Sequence, residues 1–413
     1  MKDLFKNKLF VRMSLSDLIS VMGDSLYYIA LLTFANGFSN KALAIFIVSL
    51  SESLPNLLFF VFGFMADRMN NKIRWIVRIA FIRFLLYVGV CLMVLNGRSL
   101  IILVMVTSIN LISDCFGKMS ESLYTPIFPT IIREDQIEEA SGINSAITQT
   151  VSAIANLVGA TLLIWFSFSE LAFINALTFL IVGLIIVSIK TKLKQAETKV
   201  IVEKSDFSGF VVEIKESLQL IYKTGLSKAI IDFSLINFLI APLITLIAIY
   251  ISKNPAMYSG NYSFEIASIT VAISAGMIFG NTIGVKLFAK ATFIRLSVFC
   301  TVFITLLFCS LFQKMLFITV ILTFVVHLII GTIEPKFSAQ VIKYTPRNKL
   351  SLISGGINTL LFLSSSISMI VIPFMATLVT VRILVIALVA FSIIVLVLLL
   401  SQWLTSKGDY DKK

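Results

Sequence analysis

Long apolar runs alternate with short polar connections from one end of the chain to the other. An apolar run of about 20 residues, wound as an α-helix, crosses a hydrocarbon core about 30 Å thick. Backbone polar groups cannot stay unpaired in lipid, so each run must be helical. The pattern predicts an all-α polytopic membrane protein with twelve transmembrane helices, at residues 12–35, 42–65, 74–95, 99–121, 143–166, 170–189, 229–251, 264–285, 293–312, 316–338, 351–376 and 380–403.

Composition supports a membrane protein and limits the chemistry. The 413 residues are 58% hydrophobic and 14% charged, whereas soluble domains carry roughly 25% charged residues. The four cysteines all fall inside apolar runs, so we expect no disulfide framework, no metal site and no other cofactor. No phosphate-binding Gly-x4-Gly-Lys-Ser/Thr motif occurs. We therefore expect a protein that is not an enzyme and that takes its energy from a gradient or a partner.

The net charge of +12 is a membrane signal, and it does not indicate a nucleic-acid partner. With an even number of spans, both termini lie on one side. Of the 34 Lys and Arg residues, 26 belong to the termini and the connections on that side, five to the opposite connections and three to span interiors. Because positive residues accumulate on the cytoplasmic side, we expect cytoplasmic N- and C-termini in a multi-pass protein of the cell membrane.

Three pairs of sites repeat at nearly one offset. Asn144 and Asn358 open the fifth and eleventh spans, and Asp17 and Asp232 open the first and seventh. A polar loop at residues 63–72 has a decayed copy near residues 280–290. The repeat predicts two pseudo-symmetric six-helix bundles at residues 1–189 and 229–404, a cytoplasmic central loop at 190–228 and a cytoplasmic tail at 405–413. Gly276, Gly280 and Gly284 also recur at every fourth residue, and this glycine ladder favours close helix packing.

The loop at residues 63–72 carries the strongest motif. Gly63, Asp67, Arg68 and Lys72 have the spacing of the loop between the second and third helices of major facilitator superfamily transporters, which this sequence resembles. Asn71 stands where that family usually has Arg or Lys. The resemblance implies a cytoplasmic gate, in which Asp67 and Arg68 engage the adjoining half of the protein. The alternative is an ordinary positively charged cytoplasmic turn.

Within that superfamily the chain is most similar to the macrolide-efflux branch of drug:proton antiporters. The likeness rests on Gly23-Asp24, Pro55, the stretch Tyr124-Thr125-Pro126 and the passage at residues 133–144. It implies a monomeric exporter of a small amphipathic compound, coupled to protons and working by alternating access. Residues 155–159 lack the proline that such antiporters often carry in the fifth span. Three alternatives therefore stay open: an exporter of a lipid, siderophore or peptide, an importer, and a non-transporting membrane partner.

Two mid-span carboxylates are the candidates for proton coupling. Asp24 lies about halfway along the first span and Glu52 about halfway along the second. A charged side chain inside a bilayer costs roughly 2.5–3.5 kcal/mol on the insertion scale, so each needs a functional or structural reason. An acid in such a site can carry a proton across the membrane. The alternative is that either acid pairs with Arg83 or another buried base and is structural.

The remaining intramembrane charges have two interpretations each. Asp114 and Lys118 are four residues apart on one helix face, with Glu121 three residues further on, which predicts either a buried ion pair among these neighbours or a gate or substrate contact. Glu334 and Lys336 flank Pro335, which should kink or break its helix, and they are either a gate or an ion pair. His327 is either a hydrogen-bonded core residue or a group that titrates near neutrality.

Overall fold

The computed structural model describes residues 6–95, 97, 99–133, 136–197, 221–223, 226–254, 262–344 and 350–410, with isolated positions between 198 and 220. Every regular element in this part of the chain is helical, and no strand occurs in it. The all-α polytopic architecture predicted from the sequence is confirmed.

The first half of the chain contributes seven α-helices and one short 3-10 turn among its described residues. They are α1 (Lys8–Asn36), α2 (Lys41–Leu57), α3 (Phe59–Arg68), α4 (Lys72–Val94), α5 (Leu100–Tyr124), the 3-10 turn Phe128–Thr130, α6 (Ile137–Leu162) and α7 (Phe168–Glu197). The second half contributes α8 (Ser227–Ile240), α9 (Leu243–Lys253), α10 (Tyr262–Phe279), a π-helical turn (Gly280–Gly284), α11 (Val285–Leu287), α12 (Phe293–Phe312), α13 (Leu316–Tyr344), α14 (Leu350–Leu378) and α15 (Val381–Tyr410).

Two predicted spans are each divided between two helices. The second span changes helix at Leu58, three residues after Pro55, and the seventh changes at Ala241 and Pro242. Proline has no N–H to donate and crowds the preceding turn, so both breaks have a local cause. Ten helical stretches of the described chain are long and apolar enough to cross a membrane, and the fifth predicted span adds the shorter apolar helix Thr150–Leu162.

The chain folds into two compact units. One contains Met1–Asn40 and Leu50–Lys204, and the other contains Lys41–Ser49 and Ser205–Lys413. The first nine residues of α2 therefore belong to the second unit, where Ser49 donates to the carbonyl of Met369 at 3.2 Å and accepts from Thr245 at 3.2 Å. The domain limits at residues 189, 229 and 404 stay predictions.

The first unit is held by apolar and aromatic packing among α1, α4, α5 and α7. Tyr27 of α1 meets Tyr87 of α4 edge-on, with ring centroids 4.7 Å apart, and Tyr87 stacks on Phe179 of α7 at 5.4 Å. A cluster of buried aliphatic side chains, including Ile76 and Ile186, continues this core along the same helices. The tightly packed aromatic layer lies directly beside the polar residues described below.

The predicted glycine ladder is confirmed as a close helix seam in the second unit. A β-carbon at Gly276 would lie 2.5 Å from the carbonyl oxygen of Phe324, and one at Gly280 would overlap that of Leu328. Thr332 of α13 donates to the Gly280 carbonyl at 3.3 Å. The π-helical turn Gly280–Gly284 sits within this seam. The backbones of α10 and α13 approach so closely because no side chain separates them.

Several predicted boundaries differ from the structure because hydropathy marks where a chain leaves the membrane, not where its helix ends. α7 continues to Glu197, eight residues into the predicted central loop, and α15 continues to Tyr410 through most of the predicted tail. The polar residues 190–197 are mostly good helix formers, which explains the extension. α13 runs from Leu316 to Tyr344 with Pro335 inside it, so of the predicted kink or break, the break does not occur.

Candidate functional site

Arg83 lies at the centre of a polar network inside the first unit. Its Nη2 donates to both carboxylate oxygens of Asp24, at 3.1 and 3.2 Å, and approaches Asp114 Oδ1 at 3.4 Å. Its Nε donates to the Ser113 hydroxyl at 2.9 Å, and the guanidinium carbon lies 3.8 Å from the centre of the Phe179 ring. The Arg83 side chain is only 7% exposed, so a buried cation is fully engaged by hydrogen bonds, carboxylates and an aromatic face.

The amide of Asn110 extends the network to Glu52. Its Nδ2 lies 2.9 Å from Glu52 Oε1, 3.0 Å from Asp114 Oδ2 and 3.3 Å from the Ser51 hydroxyl oxygen, so one amide nitrogen connects two carboxylates. The Tyr87 hydroxyl donates to Asn110 Oδ1 at 2.8 Å, which fixes the amide in this orientation. Glu52 is thereby connected to Asp24 through Asn110, Asp114 and Arg83, although Asp24 and Glu52 lie on different helices.

Helical spacing and two glycines bring these side chains together. Arg83 and Tyr87 on α4, and Asn110 and Asp114 on α5, are each four residues apart, so each pair shares one helix face. On α5, a β-carbon at Gly117 would lie 3.2 Å from Arg83 Nη1, so glycine leaves room for the guanidinium. A β-carbon at Gly23 would overlap Thr178 Oγ1, so glycine also lets α1 approach α7 beside Asp24.

The network contains more acid than base. Asp24 and Asp114 contact the guanidinium of Arg83, and Glu52 joins them through Asn110, so three carboxylates meet one guanidinium among the described residues of this network. Like charges in a poorly solvated site repel one another strongly, so three ionised carboxylates would leave an uncompensated charge there. A bound proton or an organic cation relieves that excess. The arrangement is therefore suited to taking up and releasing positive charge.

Of the three charged neighbours on α5, Lys118 and Glu121 pair as helical spacing predicts, but no ion pair joins Asp114 to Lys118 among the described residues. Asp114 contacts Arg83, while Lys118 pairs with Glu121 at 3.0 Å on a partly exposed face of α5. Spacing along one helix identifies neighbours on that helix but ignores the partner that α4 supplies. The suggestion that Asp24 pairs with Arg83 is confirmed, and Glu52 takes part in the network through a neutral amide.

The segment at residues 63–72, predicted as a loop, is the end of α3, a three-residue turn at 69–71 and the first residue of α4, Lys72, which is buried. Its ammonium donates to the carbonyl of Ala66, near the C-terminal end of α3, where a cation is favoured. The backbone N–H of Lys72, at the start of α4, donates to the carboxylate of Glu197. Asn71 before it is left-handed, with φ 57°, and caps nothing with its side chain. Glu197 at the end of α7 thus supplies the anion that this helix start lacks locally.

Arg68 and Gly63 are the other members of this motif that the structure describes. The guanidinium carbon of Arg68 lies 3.8 Å from the centre of the Phe64 ring. A β-carbon at Gly63 would meet nothing within 4 Å among the described residues. The side chain of Asp67 lies outside the described part of the structure, so the predicted gate contact stays a prediction.

The candidates on α13 separate into different roles. Lys336 donates to the carbonyls of Ala289 at 3.0 Å and Ala291 at 2.9 Å, so its ammonium group provides hydrogen bonds for the chain that follows α11. No ion pair between Lys336 and Glu334, which is half-buried two residues earlier, occurs among the described residues. His327 is 6% exposed and its Nδ1 lies 2.8 Å from the Thr323 carbonyl oxygen. The interpretation of His327 as a hydrogen-bonded core residue is confirmed.

Three residues of these sites were not predicted from the sequence: Asn110, Tyr87 and Glu197. Asn110 is an amide within an apolar run and four residues before Asp114, and that spacing could have marked it. Tyr87 sits among other aromatic and aliphatic residues of its span, without a signal of its own. Glu197 ends a mixed run of Lys, Gln and Glu, and only the fold shows that it reaches α4.

A helical membrane protein with a charged network inside one bundle defines a transporter-like architecture, and sequence comparison gives its family. The major facilitator superfamily model matches residues 13–369. The chain therefore belongs to the major facilitator superfamily. No curated protein sequence matches it significantly.

Solved transporters share this fold at low sequence identity. A crystal structure of a mutant of the peptide transporter POT has a TM-score of 0.72 at 12% identity, covering 95% of this chain and 94% of that one. A mutant of the nucleoside transporter NupG gives 0.69 at 13%, covering 94% and 99%. A bacterial homologue of the iron transporter ferroportin gives 0.69 at 13%, covering 95% and 98%. At these identities the likeness shows the fold alone.

Proposed function

We propose that this protein is a secondary active transporter that exports a small amphipathic compound in exchange for protons. The observation that carries the proposal is the network of Asp24, Glu52 and Asp114 around one buried Arg83. Buried ionisable residues in membrane spans are costly and are typical of ion and proton pathways. Membership of the major facilitator superfamily supports a transporter, and the excess of acid supports protons as the coupling ion.

The resemblance to the macrolide-efflux branch favours a drug-like substrate and a monomer. The distribution of Lys and Arg favours the cell membrane, with both termini in the cytoplasm. The loop at residues 63–72 serves as a cytoplasmic gate in this proposal. Asp67→Asn is expected to lower transport without preventing membrane insertion, and unchanged transport by that variant in vesicles would rule out the gate role.

Proteoliposomes with an imposed pH gradient test the function directly. We expect gradient-dependent movement of an amphipathic drug such as erythromycin, with no movement when a protonophore dissipates the gradient. A dipeptide and a nucleoside serve as probes of the alternative, a non-drug carrier with the same fold. If the pH gradient drives movement of the dipeptide or the nucleoside but not of the drug, the protein is a non-drug carrier with the same fold. Drug movement that is the same with and without the pH gradient would contradict proton coupling.

A further inference from the structure

We propose that the groove between α1 and α7 binds an anionic phospholipid such as phosphatidylglycerol. Its phosphate lies at Arg12, and its acyl chains run along the apolar remainder of the groove. Such a site is on the exposed side of the first unit, apart from the carboxylate network, and goes beyond the proposed function.

α1 and α7 pack as antiparallel neighbours, and two contacts show which of their residues lie level with each other. A β-carbon at Gly23 of α1 would overlap Thr178 Oγ1 of α7. Nearer the start of α1 and the end of α7, Arg12 Nη1 donates to the Ser188 hydroxyl at 3.3 Å. The start of α1 therefore lies beside the end of α7, on the side of the membrane that the positive charges predict to be cytoplasmic.

This end of the groove is positively charged. Lys8 lies four residues before Arg12 on α1, and Lys192 lies four residues after Ser188 on α7. Because residues four apart share a helix face, both lysines lie about one turn beyond the Arg12–Ser188 contact, towards the headgroup layer. All three cations are exposed, and none of them forms an ion pair with a described residue. Basic clusters at the cytoplasmic ends of spanning helices are typical of sites for anionic lipid headgroups.

Two acids close along the chain are directed to other partners. Asp17 lies on another face of α1 from Arg12, because five residues turn a helix by about 140°, and its carboxylate accepts from Asn144 of α6 at 3.3 Å. Glu197, at the end of α7, accepts from the backbone N–H of Lys72. Among the described residues the groove thus offers cations without a matching anion, which a lipid phosphate supplies.

Arg12 keeps most of its hydrogen-bonding capacity for such an anion. A guanidinium carries five N–H donors in a planar fork, which matches the oxygens of a phosphate group. The described contact of Arg12 uses Nη1 alone, and it holds the side chain across to α7. The Ser188 hydroxyl donates its own proton to the Ile185 carbonyl at 2.6 Å, which leaves its oxygen to accept from Arg12. The fork is therefore held in place with donors left for a ligand.

One turn deeper in the membrane, the groove is apolar. Leu15 follows Arg12 on α1 and is 45% exposed, and Leu184 precedes Ser188 on α7 and is 55% exposed. Ile181 continues the exposed stripe of α7. Lipid tails are as apolar as leucine and pack against such side chains, whereas a soluble anion gains nothing there. Cations at one end and exposed leucines at the other therefore fit a phospholipid better than a free phosphate ion.

Lipid binding to the purified full-length protein in detergent, measured by native mass spectrometry, tests the site. The probes are dioleoylphosphatidylglycerol and dioleoylphosphatidylcholine, which has the same acyl chains but no net charge. We expect the first phosphatidylglycerol to bind about tenfold more tightly than the first phosphatidylcholine. Arg12→Gln should weaken phosphatidylglycerol binding about fivefold, and the triple variant that also carries Lys8→Gln and Lys192→Gln about a hundredfold. Arg12→Lys keeps the charge but loses the fork, so its affinity should lie between the wild type and Arg12→Gln.

A matched control separates a site at Arg12 from general attraction between a basic protein and an anionic lipid. Arg295→Gln removes an exposed arginine near the start of α12, in the second unit, and should leave the affinity for phosphatidylglycerol unchanged. Thermal unfolding of each variant shows whether it is folded, and Lys192→Gln carries the test, with about a fivefold loss, if Arg12→Gln does not fold. Equal weakening by Arg12→Gln and Arg295→Gln would overturn the proposal, as would equal affinity for the two lipids.

A competition experiment tests the contribution of the acyl chains. Glycerophosphoglycerol carries the same headgroup as phosphatidylglycerol but has no acyl chains. We expect an equal concentration of it to leave the bound phosphatidylglycerol in place. Displacement of the lipid by glycerophosphoglycerol, or by inorganic phosphate, would show that the cations form a site for a soluble anion and would overturn the assignment to a phospholipid.

Discussion

Arg83 places a single nitrogen, Nη2, within 3.1 and 3.2 Å of the two carboxylate oxygens of Asp24. This pair joins α1 to α4 inside the first unit, and the guanidinium is almost sealed from solvent. Removing one partner of a fully buried pair typically costs about 3–5 kcal/mol, and the cost is lower here because the Asp24 side chain is 37% exposed. The pair therefore ties α1 to α4.

We expect Arg83→Gln to lower the free energy of unfolding in detergent by about 1–3 kcal/mol, because it leaves partly solvated Asp24 and the Ser113 hydroxyl without their partner. The double variant Asp24→Asn with Arg83→Gln should recover part of that loss, because no carboxylate at residue 24 is then left unpaired. A double-mutant cycle measured by chemical unfolding gives the coupling between the two residues. Strictly additive effects would show that the contact contributes nothing to stability.

Asn110→Leu should remove the connection between Glu52 and the rest of the network. The change leaves the Tyr87 hydroxyl and one Glu52 oxygen without their observed partner. The expected loss is about 1–3 kcal/mol of unfolding free energy for buried groups left unsatisfied. Tyr87→Phe is the matched control, since it removes only one of these hydrogen bonds. A loss from Asn110→Leu no larger than that from Tyr87→Phe would contradict the bridging role of the amide.

Glu197→Gln should loosen the start of α4. Its carboxylate accepts from the Lys72 backbone N–H, and an anion at a helix N-terminus contributes about 0.3–1 kcal/mol, or up to about 2 where partly buried. We expect faster amide hydrogen exchange across residues 72–76. Lys192→Gln, an exposed charge change on the same helical extension, should leave that exchange unchanged. Equal amide hydrogen exchange in the wild type and Glu197→Gln would show that Glu197 does not cap α4.

Gly280→Ala should destabilise the second unit by about 1–3 kcal/mol, as overpacking does. The added methyl would overlap the Leu328 carbonyl oxygen of α13. Gly89→Ala on α4 is the control, because its methyl meets nothing within 4 Å among the described residues. That change should be neutral or stabilise by about 0.5–1 kcal/mol through its effect on backbone entropy. Thermal unfolding of both variants measures the difference, and similar melting temperatures would contradict close packing at Gly280.

The fold was readable from the sequence because bilayer thickness dictates the length of each apolar run. Because a charged side chain in lipid is energetically costly, the sequence also identified the intramembrane candidates Asp24, Glu52, Arg83 and Asp114. Their partners were not all readable, because contacts between helices leave no trace in the spacing along one helix. Asp114 turns to Arg83 on α4 instead of Lys118 on α5.

Neutral partners were harder still to foresee. Asn110 carries no charge, so hydropathy and charge counting pass over it, yet its amide connects two acids. Glu197 lies in a polar segment expected to be a loop, and only the continuation of α7 carries it to the start of α4. In both cases the missing information was the neighbouring helix.

Proton flux in proteoliposomes tests proton-coupled exchange at the carboxylate network most directly. An internal pH dye would report proton movement when erythromycin is added outside vesicles that hold the wild-type protein, Glu52→Gln or the control Glu170→Gln, which removes an exposed carboxylate at the start of α7. Proton-coupled exchange predicts a drug-dependent flux with the wild type and Glu170→Gln, and none with Glu52→Gln. The same flux in Glu52→Gln as in the wild type would contradict proton coupling through Glu52, and no flux with the wild type would contradict proton-coupled transport of this drug.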